Sequence, residues 1–258
     1  MIVALATDRN FVELAGVLVR SLCASGNIPE AKIIIFANGL RQTDKTNLQA
    51  CADRPVTFID VQDHMPSLRG VRTTSYWTIT AYTRLLAPEL IEGSGRMLYL
   101  DCDIIINGDL RPLFAMELGD SNIIAARGNE NYFNSGVLLI DRERWRAEGI
   151  TRKTIAYALA QGDALQFVDQ DALNAILAGR FLQLGMHWNL PRKNANAYKT
   201  SAIIHFTGKK PDYSDCKNPA RVLYLQHRQA TPWANRPLKS KWRRRWNRLL
   251  FRLSPSGN

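Results

Sequence analysis

Short apolar runs alternate with segments of helical periodicity along most of this chain, and this alternation limits the folds that it can adopt. Residues 1–6 form an apolar run, and residues 11–25 place apolar side chains three and four positions apart before Gly26. The run AKIIIFA at 31–37 is apolar throughout, as in strands that are buried on both faces of a sheet. Strands that alternate with helices predict an α/β fold with a mainly parallel sheet flanked by helices.

The remaining elements continue this alternation. Further helices are expected at about 43–53, 75–86, 151–161 and 169–178. Thr43 is expected to cap the first of these helices, and the second is expected to end before Pro88. Further strands are expected at 55–61, 96–103, 122–126, 136–141 and 202–206.

The excess positive charge of the chain lies entirely in its C-terminal part. The 258 residues include 34 Lys and Arg against 23 Asp and Glu, for a net charge of +11, and the last acidic residue is Asp215. Eleven of the basic residues fall within 216–258, so residues 1–215 are formally neutral. This shift predicts a domain at 1–215 followed by a basic, aromatic segment at 216–258.

The end of this basic segment has the pattern of an amphipathic helix. Its apolar residues follow a helical stripe: Leu238, Trp242, Trp246, Leu249, Leu250 and Leu253. A basic helix with tryptophans suits an anionic membrane surface, where each basic residue contributes about 1 kcal/mol. In a second interpretation the stripe packs on the body of the protein. Binding of nucleic acid is disfavoured, because the apolar stripe has no role in contacting phosphates.

The cysteines and the start of the chain predict a cytoplasmic protein. Cys23, Cys51, Cys102 and Cys216 are too far apart for a disulfide framework or a zinc ribbon, and they fit a reducing compartment. No apolar run approaches the ~20 residues that span a bilayer. The first residues lack the basic n-region of a signal peptide and are expected to form the first strand.

The loop that follows the first predicted strand, ATDRNF at 6–11, argues against two common nucleotide-binding folds. It contains neither G-x-G-x-x-G nor G-x-x-x-x-G-K-[ST]. It does offer a carboxylate, an amide and an aromatic ring, which can hydrogen-bond a nucleoside and stack on its base. In the alternative interpretation, Asp8 or Asn10 caps the following helix and Phe11 belongs to the core.

The run MLYLDCDIII at 97–106 carries two carboxylates at the end of a predicted strand. Asp101 and Asp103 are two residues apart, so in an extended chain their side chains share one side while Cys102 points to the other. Adjacent carboxylates repel each other unless a cation lies between them, and hard oxygen ligands favour Mg²⁺ or Mn²⁺. Such a metal offsets diphosphate charge and helps a phosphate to leave. The alternative is a strand-to-turn junction with two solvated aspartates.

Three further polar clusters lie beside predicted elements. The residues NSG at 134–136 come just before a buried strand. The residues DQD at 169–171 begin a helix, where the helix dipole stabilises carboxylates, so simple capping is the alternative. His205 can complete a metal site or be structural, and Gly208 with Lys210 can hold phosphate oxygens.

Together these motifs resemble those of the family 8 retaining glycosyltransferases of the GT-A fold, especially the bacterial galactosyl- and glucosyltransferases that build lipopolysaccharide and lipooligosaccharide. The resemblance runs in order over about residues 1–211 through six motifs: ATDRNF, ITAYTRL, LYLDCD, YFNSGVLLID, DQDALN and HFTGKKP. Six motifs in the same order make the match specific. It implies that residues 1–215 form a GT-A domain with a Rossmann-like, mainly parallel sheet.

The resemblance also implies a role for each matching residue. The family's Mn²⁺ ligands match Asp101, Asp103 and His205. Its nucleotide-binding positions match Ala6, Thr7, Asp8, Asn10, Phe11, Cys102, Gly208 and Lys210, with Phe11 at the position that stacks on uracil. Its donor-sugar positions match Arg84, Asn134, Ser135, Gly136, Asp169 and Gln170. Asp169 and Gln170 are also the implied catalytic residues.

The implied reaction transfers a hexose, galactose or glucose, from a UDP-sugar to a saccharide acceptor and retains the α configuration. Mn²⁺ is the implied cofactor, with Mg²⁺ as the alternative. Attack from the face of the leaving group is favoured over double displacement, because the amide of Gln170 is a weak nucleophile. The implied acceptor is lipid-linked, at the inner face of the cytoplasmic membrane, where the basic segment would dock; no nucleic-acid partner is expected.

The sequence departs from the family pattern at two places. The segment 104–131 is shorter than in the family, so no acceptor-binding residues are implied. The tripeptide at 210–212 is Lys-Pro-Asp where the family has Lys-Pro-Trp. Two other functions remain open: transfer to a protein or soluble acceptor, as in glycogenin, and a non-catalytic module that binds a nucleotide sugar or nucleic acid.

Overall fold

The computed structural model describes residues 1–74 and 79–240. The strands in these ranges are β1 Ile2–Asp8, β2 Lys32–Asn38, β3 Val56–Asp60, β4 Arg96–Leu100, β5 Ile104–Ile106, β6 Ile124–Asn129, β7 Tyr132–Asp141, β8 Phe181–Gln183 and β9 Ile203–His205. The α-helices are α1 Val12–Ser25, α2 Gln42–Gln49, α3 Thr83–Leu90, α4 Arg111–Phe114, α5 Arg142–Ala147, α6 Ile150–Gln161, α7 Asp169–Ile176 and α8 Arg221–Arg228.

A seven-stranded sheet with the order β3-β2-β1-β4-β7-β6-β8 forms the centre of the described structure. The pairs β3·β2, β2·β1, β1·β4 and β6·β8 are parallel, whereas β7 runs antiparallel to both β4 and β6. Helices cover both faces. The sheet is therefore mainly parallel, and the predicted α/β class is confirmed.

The central strands are apolar because each of their faces packs against a core. Leu5 and Ile35 belong to one core together with Leu18 of α1. Ala4 and Phe36, one position away along the same strands, belong to a second core on the opposite face. Successive side chains of a strand point to opposite faces, so two buried faces require a continuous apolar run.

The reversed direction of β7 determines where its polar residues lie. Because β7 is antiparallel to β4, its first residues lie at the carboxyl end of β4, where Leu100 is opposite Val137. The cluster at 134–136 was expected just before a strand but lies inside β7, since pairing with β6 extends the strand back to Tyr132. The strand expected at 202–206 pairs with β5 in a separate two-stranded sheet.

Two expected helices differ from those observed. The first residues of the helix expected at 75–86 lie outside the described residues, and its next part is a short 3₁₀ turn, Ile79–Tyr82. Helix α3 then continues past Pro88 to Leu90, so the expected end before Pro88 is wrong: the proline removes a single N–H donor, and the helix ends within one turn after it. The N-cap of α2 is Arg41 rather than Thr43, and Asp44 accepts a hydrogen bond from the Arg41 backbone N–H.

The described part of the basic segment, residues 216–240, packs on the body of the protein. Arg228 of α8 lies 2.8 Å from Glu13 of α1, and the Tyr224 hydroxyl donates to the same carboxylate. The ring of Trp233 lies against Gly16, where a Cβ would be 2.3 Å from a ring carbon. Residues 241–258, with most of the expected amphipathic helix, lie outside the described residues, and the boundary at 215 stays a prediction. Every helix within 1–74 and 79–240 is too short or too polar to span a bilayer.

Candidate active site

Three chain segments bring the two predicted aspartates and the predicted histidine together at the carboxyl end of β4. Asp101 follows β4 directly, and its backbone N–H donates to the carbonyl of Gly136 in β7 at 2.8 Å. Strand β5 pairs with β9 so that Ile104 lies opposite His205, and the Phe206 N–H donates to the Asp103 carbonyl at 2.9 Å. The backbone pairing therefore places His205 beside Asp103.

The side chains of these three residues form a group suited to a divalent metal. The Nε2 atom of His205 lies 3.4 Å from Oδ1 of Asp103 and 3.8 Å from Oδ2 of Asp101. One ligand atom from each residue lies within 4.8 Å of the others. Asp103 and His205 are buried. Two carboxylates and one imidazole form a donor set that fits Mn²⁺ and also accepts Mg²⁺.

Gly136 keeps the space between these ligands open. A Cβ at this position would lie 2.3 Å from Cε1 of His205 and 2.7 Å from Oδ2 of Asp101. Such distances are far below van der Waals contact, so any larger residue displaces a predicted ligand. The resemblance implies that Gly136 binds the donor sugar, and the structure also gives it this steric role beside the predicted metal ligands.

Lys210 lies beside the same group. Its ammonium donates to Oδ2 of Asp103, and its side chain remains 28% exposed. Burial alone would raise the pKa of Asp103, but Lys210 and His205 lower it below the usual range of a carboxyl. Gly208, two residues earlier, has a φ of +96°, a left-handed conformation that favours glycine in this loop.

Arg84 lies at the centre of the site and is almost fully buried. Its Nη2 atom is 3.0 Å from Oδ1 of Asp101, and its Nε atom is 2.8 Å from Oδ2 of Asp169. Its Nη1 atom donates to the carbonyl of Ser135 at 2.6 Å and to the Ser135 hydroxyl at 2.8 Å. Arg84 thus connects the predicted metal ligands to the predicted catalytic residues.

Asp169 begins α7, as the sequence predicts, and it is buried. Burial raises its pKa to about 6, although the neighbouring guanidinium of Arg84 acts in the opposite direction. A carboxyl that titrates near neutral pH beside a buried cation is typical of functional sites. Asp169 lies in the first turn of α7, as the capping interpretation expects, and its carboxylate also pairs with Arg84.

The amide of Gln170 is held by neighbours on β7. Its Oε1 atom accepts hydrogen bonds from Nδ2 of Asn134 at 2.9 Å and from the backbone N–H of Ser135 at 3.1 Å. Its Nε2 atom donates to the hydroxyl of Tyr132 at 2.8 Å. The structure therefore brings Gln170 together with Asn134 and Ser135, the residues predicted to bind the donor sugar.

The loop after β1 borders an open cavity of about 490 Å³. The cavity is lined by Asp8, Arg9, Asn10, Asn38, Gly39 and Arg236. The backbone N–H of Asn10 donates to Asp8, so neither residue caps α1, whose N-cap is Phe11. Ala6 and Thr7 are buried behind the loop. This cavity lies at the carboxyl ends of β1 and β2, where parallel sheets commonly bind nucleotides.

Two of the predicted nucleotide-binding residues make contacts within the protein. Phe11 is half-buried and packs against the core, as in the alternative interpretation. Cys102 is buried and its thiol lies 2.8 Å from the carbonyl oxygen of Ala6. Burial raises the pKa of this thiol, so it remains protonated and can donate. Cys102 thereby joins the loop after β1 to the segment that carries Asp101 and Asp103.

The C-terminal segment contributes contacts that the sequence motifs do not mark. The ammonium of Lys239 lies 2.6 Å from a buried carboxylate oxygen of Asp212 and 3.0 Å from the carbonyl oxygen of Asn10. The Lys239 N–H also donates to the Asp212 carbonyl at 2.9 Å. Asp212 stands where the family has a tryptophan. Through Lys239, it connects the C-terminal segment to the loop that borders the cavity. Lys239 is distant along the chain, and no local pattern marks it.

Solved structures show which class of protein has this fold. The galactosyltransferase LgtC in complex with donor and acceptor sugar analogues has a TM-score of 0.79 at 23% identity, covering 90% of this chain and 96% of LgtC. The glycosyltransferase GlyE of Streptococcus pneumoniae has a TM-score of 0.68 at 22% identity, covering 88% of this chain and 59% of GlyE. The fold is that of the GT-A glycosyltransferases.

The chain belongs to glycosyl transferase family 8, whose family model matches residues 2–212. General stress protein A of Bacillus subtilis is 30% identical over 90% of this chain and 94% of that protein. The lipopolysaccharide glucosyltransferase WaaO of Escherichia coli is 26% identical over 92% of this chain and 80% of its own length. The lipopolysaccharide 1,3-galactosyltransferase of Salmonella typhimurium is 26% identical over 90% and 79%, respectively. The protein is therefore a glycosyltransferase.

Proposed function

We propose that this protein transfers galactose or glucose from a UDP-sugar to a saccharide acceptor, with a divalent metal held by Asp101, Asp103 and His205. The observation that carries the proposal is the convergence of these three side chains, with Nε2 of His205 3.4 Å and 3.8 Å from the two carboxylates. Mn²⁺ fits the mixed oxygen and nitrogen ligands best. When bound there, the metal offsets the charge of the UDP diphosphate.

Lys210 is positioned to stabilise the departing diphosphate. Its partly exposed ammonium lies against Asp103 and can reach a phosphate oxygen at the same place. Although burial disfavours its charged form, Asp103 raises the pKa of Lys210 above the usual value, so the side chain stays protonated. A fixed cation at the point where negative charge develops lowers the barrier without reorganisation during the reaction.

Asp169 and Gln170 are proposed to flank the anomeric carbon of the donor sugar. The ionised carboxylate of Asp169 would stabilise the positive charge that develops as the bond from the anomeric carbon to the phosphate oxygen breaks. The Oε1 atom of Gln170 already accepts two hydrogen bonds, so its lone pairs are engaged and unsuited to nucleophilic attack.

This arrangement supports attack on the same face as the leaving group. The acceptor oxygen forms the new bond to the anomeric carbon, the bond to the phosphate oxygen breaks, and that oxygen takes the proton of the acceptor hydroxyl. The α configuration is retained, and no residue of the protein is required as a covalent nucleophile.

The nucleoside is proposed to occupy the cavity beside β1. Asp8 and Asn10 offer a carboxylate and an amide, and Arg236 adds a cation from the C-terminal segment. Burial raises the pKa of Asp8, while the Asn10 N–H opposes this effect. An anionic or hydrogen-bonding side chain at the ribose is a common feature of nucleotide sites.

We further propose a lipid-linked saccharide as the acceptor, at the inner face of the cytoplasmic membrane. The names of two relatives, a lipopolysaccharide glucosyltransferase and a lipopolysaccharide 1,3-galactosyltransferase, support this choice. The basic residues beyond 240 provide the means of docking on anionic lipid. Flotation of full-length protein and of residues 1–240 with anionic vesicles tests the docking: equal recovery of both would contradict it.

A donor screen without any acceptor tests the proposed reaction. The purified protein is incubated with a panel of UDP-sugars, and release of UDP is measured with Mn²⁺, with Mg²⁺ and with chelator. We expect hydrolysis of UDP-galactose or UDP-glucose that requires the metal and is lost in Asp103→Ala. Asp163→Ala removes a fully exposed carboxylate and serves as the control. Hydrolysis that persists in chelator would refute the assignment, and a stepwise gain of hexose mass on the protein itself would favour the glycogenin-like alternative.

A further inference from the structure

A chain of side-chain amides connects the predicted donor-sugar residues to the predicted metal ligand His205. Its last member is Asn189, which is buried and lies after β8. The Oδ1 atom of Asn189 lies 3.1 Å from Nδ1 of His205. Its Nδ2 atom donates to Oδ1 of Asn134 at 2.9 Å. Nothing in the sequence motifs assigns a role to Asn189.

Two backbone N–H groups determine the direction of every hydrogen bond in this chain. The N–H of Gly136 donates to Asn134 at 3.2 Å, so the atom that it meets must be the amide oxygen. The N–H of Ser135 likewise donates to Gln170 at 3.1 Å and identifies Oε1. Because a backbone N–H can only donate, neither amide can be rotated to exchange its oxygen and nitrogen.

The orientation of Asn134 then determines which ring nitrogen of His205 carries the hydrogen. Since Oδ1 of Asn134 is an acceptor, the atom of Asn189 that faces it must be the amino nitrogen. The oxygen of Asn189 therefore faces Nδ1 of His205, and this nitrogen must carry the hydrogen. In the neutral ring the Nε2 atom is left with its lone pair directed at Asp101 and Asp103.

At the other end of this series of amides, Gln170 is held by hydrogen bonds to its neighbours on β7 and α7. The Nε2 atom of Gln170 donates to the hydroxyl of Tyr132, which in turn donates to the carboxylate of Asp171. The other oxygen of Asp171 accepts from the backbone N–H of Phe167 at 2.7 Å. The series of side-chain amides is thus hydrogen-bonded without a break from α7 through β7 to β9, and each amide has one orientation.

We propose that Asn189 is a positioning residue that holds His205 as the Nδ1–H tautomer and directs its Nε2 lone pair toward the metal site. The amide chain through Asn134 and Gln170 sets the orientation of Asn189, so that the residues proposed to bind the donor sugar also prepare the metal ligand. The inference deepens the proposed function and rests on its metal site. Partners that orient a metal-ligating histidine typically change metal affinity 10–100-fold when they are removed.

The tautomer can be measured without metal or substrate. The protein contains four histidines, so ¹⁵N-histidine labelling and comparison with His205→Gln assign the His205 signals by nuclear magnetic resonance. Above the pH range in which imidazoles titrate, we expect a protonated Nδ1 and an unprotonated Nε2 in the wild type. Asn189→Ala should shift the ring toward the Nε2–H form or a mixture. A wild-type ring protonated on Nε2 overturns the inference without any variant.

Metal binding provides the second measurement. Titration of Mn²⁺ in the presence of UDP, followed by electron paramagnetic resonance, should show an affinity about 10–100-fold lower for Asn189→Ala. Asn189→Asp preserves the shape and can still accept from Nδ1, so the Nδ1–H tautomer should persist in this variant. Asn122→Ala, which removes an amide that donates to the Leu118 carbonyl, is the matched control. Unchanged tautomer and affinity in Asn189→Ala overturn the inference, whereas a wild type that binds no Mn²⁺ contradicts the proposed function and leaves the tautomer measurement valid.

Discussion

The Nε atom of Arg84 lies 2.8 Å from a carboxylate oxygen of Asp169, and both side chains are buried. Arg84 also contacts Asp101, so this ion pair belongs to a continuous network that reaches the proposed metal site. Burial makes the charged form of Asp169 unfavourable even beside this guanidinium, as its raised pKa shows. The pair therefore links the ionisation of Asp169 to both activity and stability.

The activity should depend on pH through Asp169. Burial raises its pKa to about 6, and only the ionised form can stabilise positive charge on the donor sugar. We expect kcat/KM to fall about tenfold per pH unit below pH 6. Steady-state rates between pH 4.5 and 8 check this expectation. Asp169→Asn should be slow at all pH values; a variant with full kcat would remove Asp169 from the mechanism.

The free energy of unfolding should also depend on pH through Asp169, but in the opposite direction to the activity. The pKa of Asp169 is raised from 3.8 to about 6 on folding, so the native state binds its proton more tightly than the unfolded state. Its contribution to the free energy of unfolding is therefore largest below pH 3.8 and is lost as pH rises through about 6. Urea denaturation of the wild type and Asp169→Asn at pH 4.5 and 7 should show the variant gaining relative stability at pH 7. An identical difference at both pH values would contradict the raised pKa.

The space at Gly136 should be required for metal binding. In Gly136→Ala the new methyl group would lie 2.3 Å from Cε1 of His205, and we expect the ligands to separate. Mn²⁺ affinity in the presence of UDP should fall at least tenfold, measured by calorimetry. Gly185→Ala is the control, because no atom of residues 1–74 or 79–240 lies within 4 Å of a Cβ at that position. Equal affinities of the two variants would show that the site can expand.

The adjacent residues Lys209 and Lys210 allow the effect of a positive charge inside the proposed site to be compared with that of a charge outside it. Lys210 pairs with Asp103, whereas Lys209 lies 2.8 Å from Asp215 outside the proposed site. Lys210→Gln should lower kcat/KM for the UDP-sugar by about 10²–10³, the effect of removing one donor to a developing negative charge. Lys209→Gln should change it less than about threefold. Mn²⁺ affinity should not fall in Lys210→Gln, and a large fall would assign Lys210 to metal binding instead.

The ion pair of Lys239 with Asp212 should stabilise both the fold and the nucleotide loop. Burial raises the pKa of Asp212 and Lys239 opposes this, so Lys239→Met leaves a buried carboxylate without its cation. We expect a loss of stability of about 3 kcal/mol by chemical denaturation, and weaker UDP binding. Lys239→Met combined with Asp212→Asn should recover most of the stability but not the affinity, because the contact with Asn10 is still missing. A double variant that stays as unstable as the single one would show that the charge pair is not the cause.

Local sequence patterns predicted most of the elements, and they marked residues that the structure brings together at the candidate site. The apolar runs at 1–6 and 31–37 became β1 and β2, because burial on two faces leaves an unmistakable local signal. Asp169 begins α7, as expected, whereas the strand expected at 96–103 ends at Leu100, so that Asp101 follows β4 and Asp103 lies in a turn. The alternatives for Asp8 and Phe11 could not be separated from sequence, since a cap, a core residue and a ligand contact share one pattern.

By itself, the amino-acid sequence determined which segments form strands and helices, which of their faces are apolar, and which motifs carry carboxylates and histidine. Only the tertiary structure decided that Asn189 faces His205, that Gly136 leaves room for two ligands to approach each other, and that Lys239 contacts Asn10 across 229 residues of sequence. The physical reason is the range of the interactions. Periodicity and capping act over a few residues, whereas contacts between distant segments depend on how the whole chain packs.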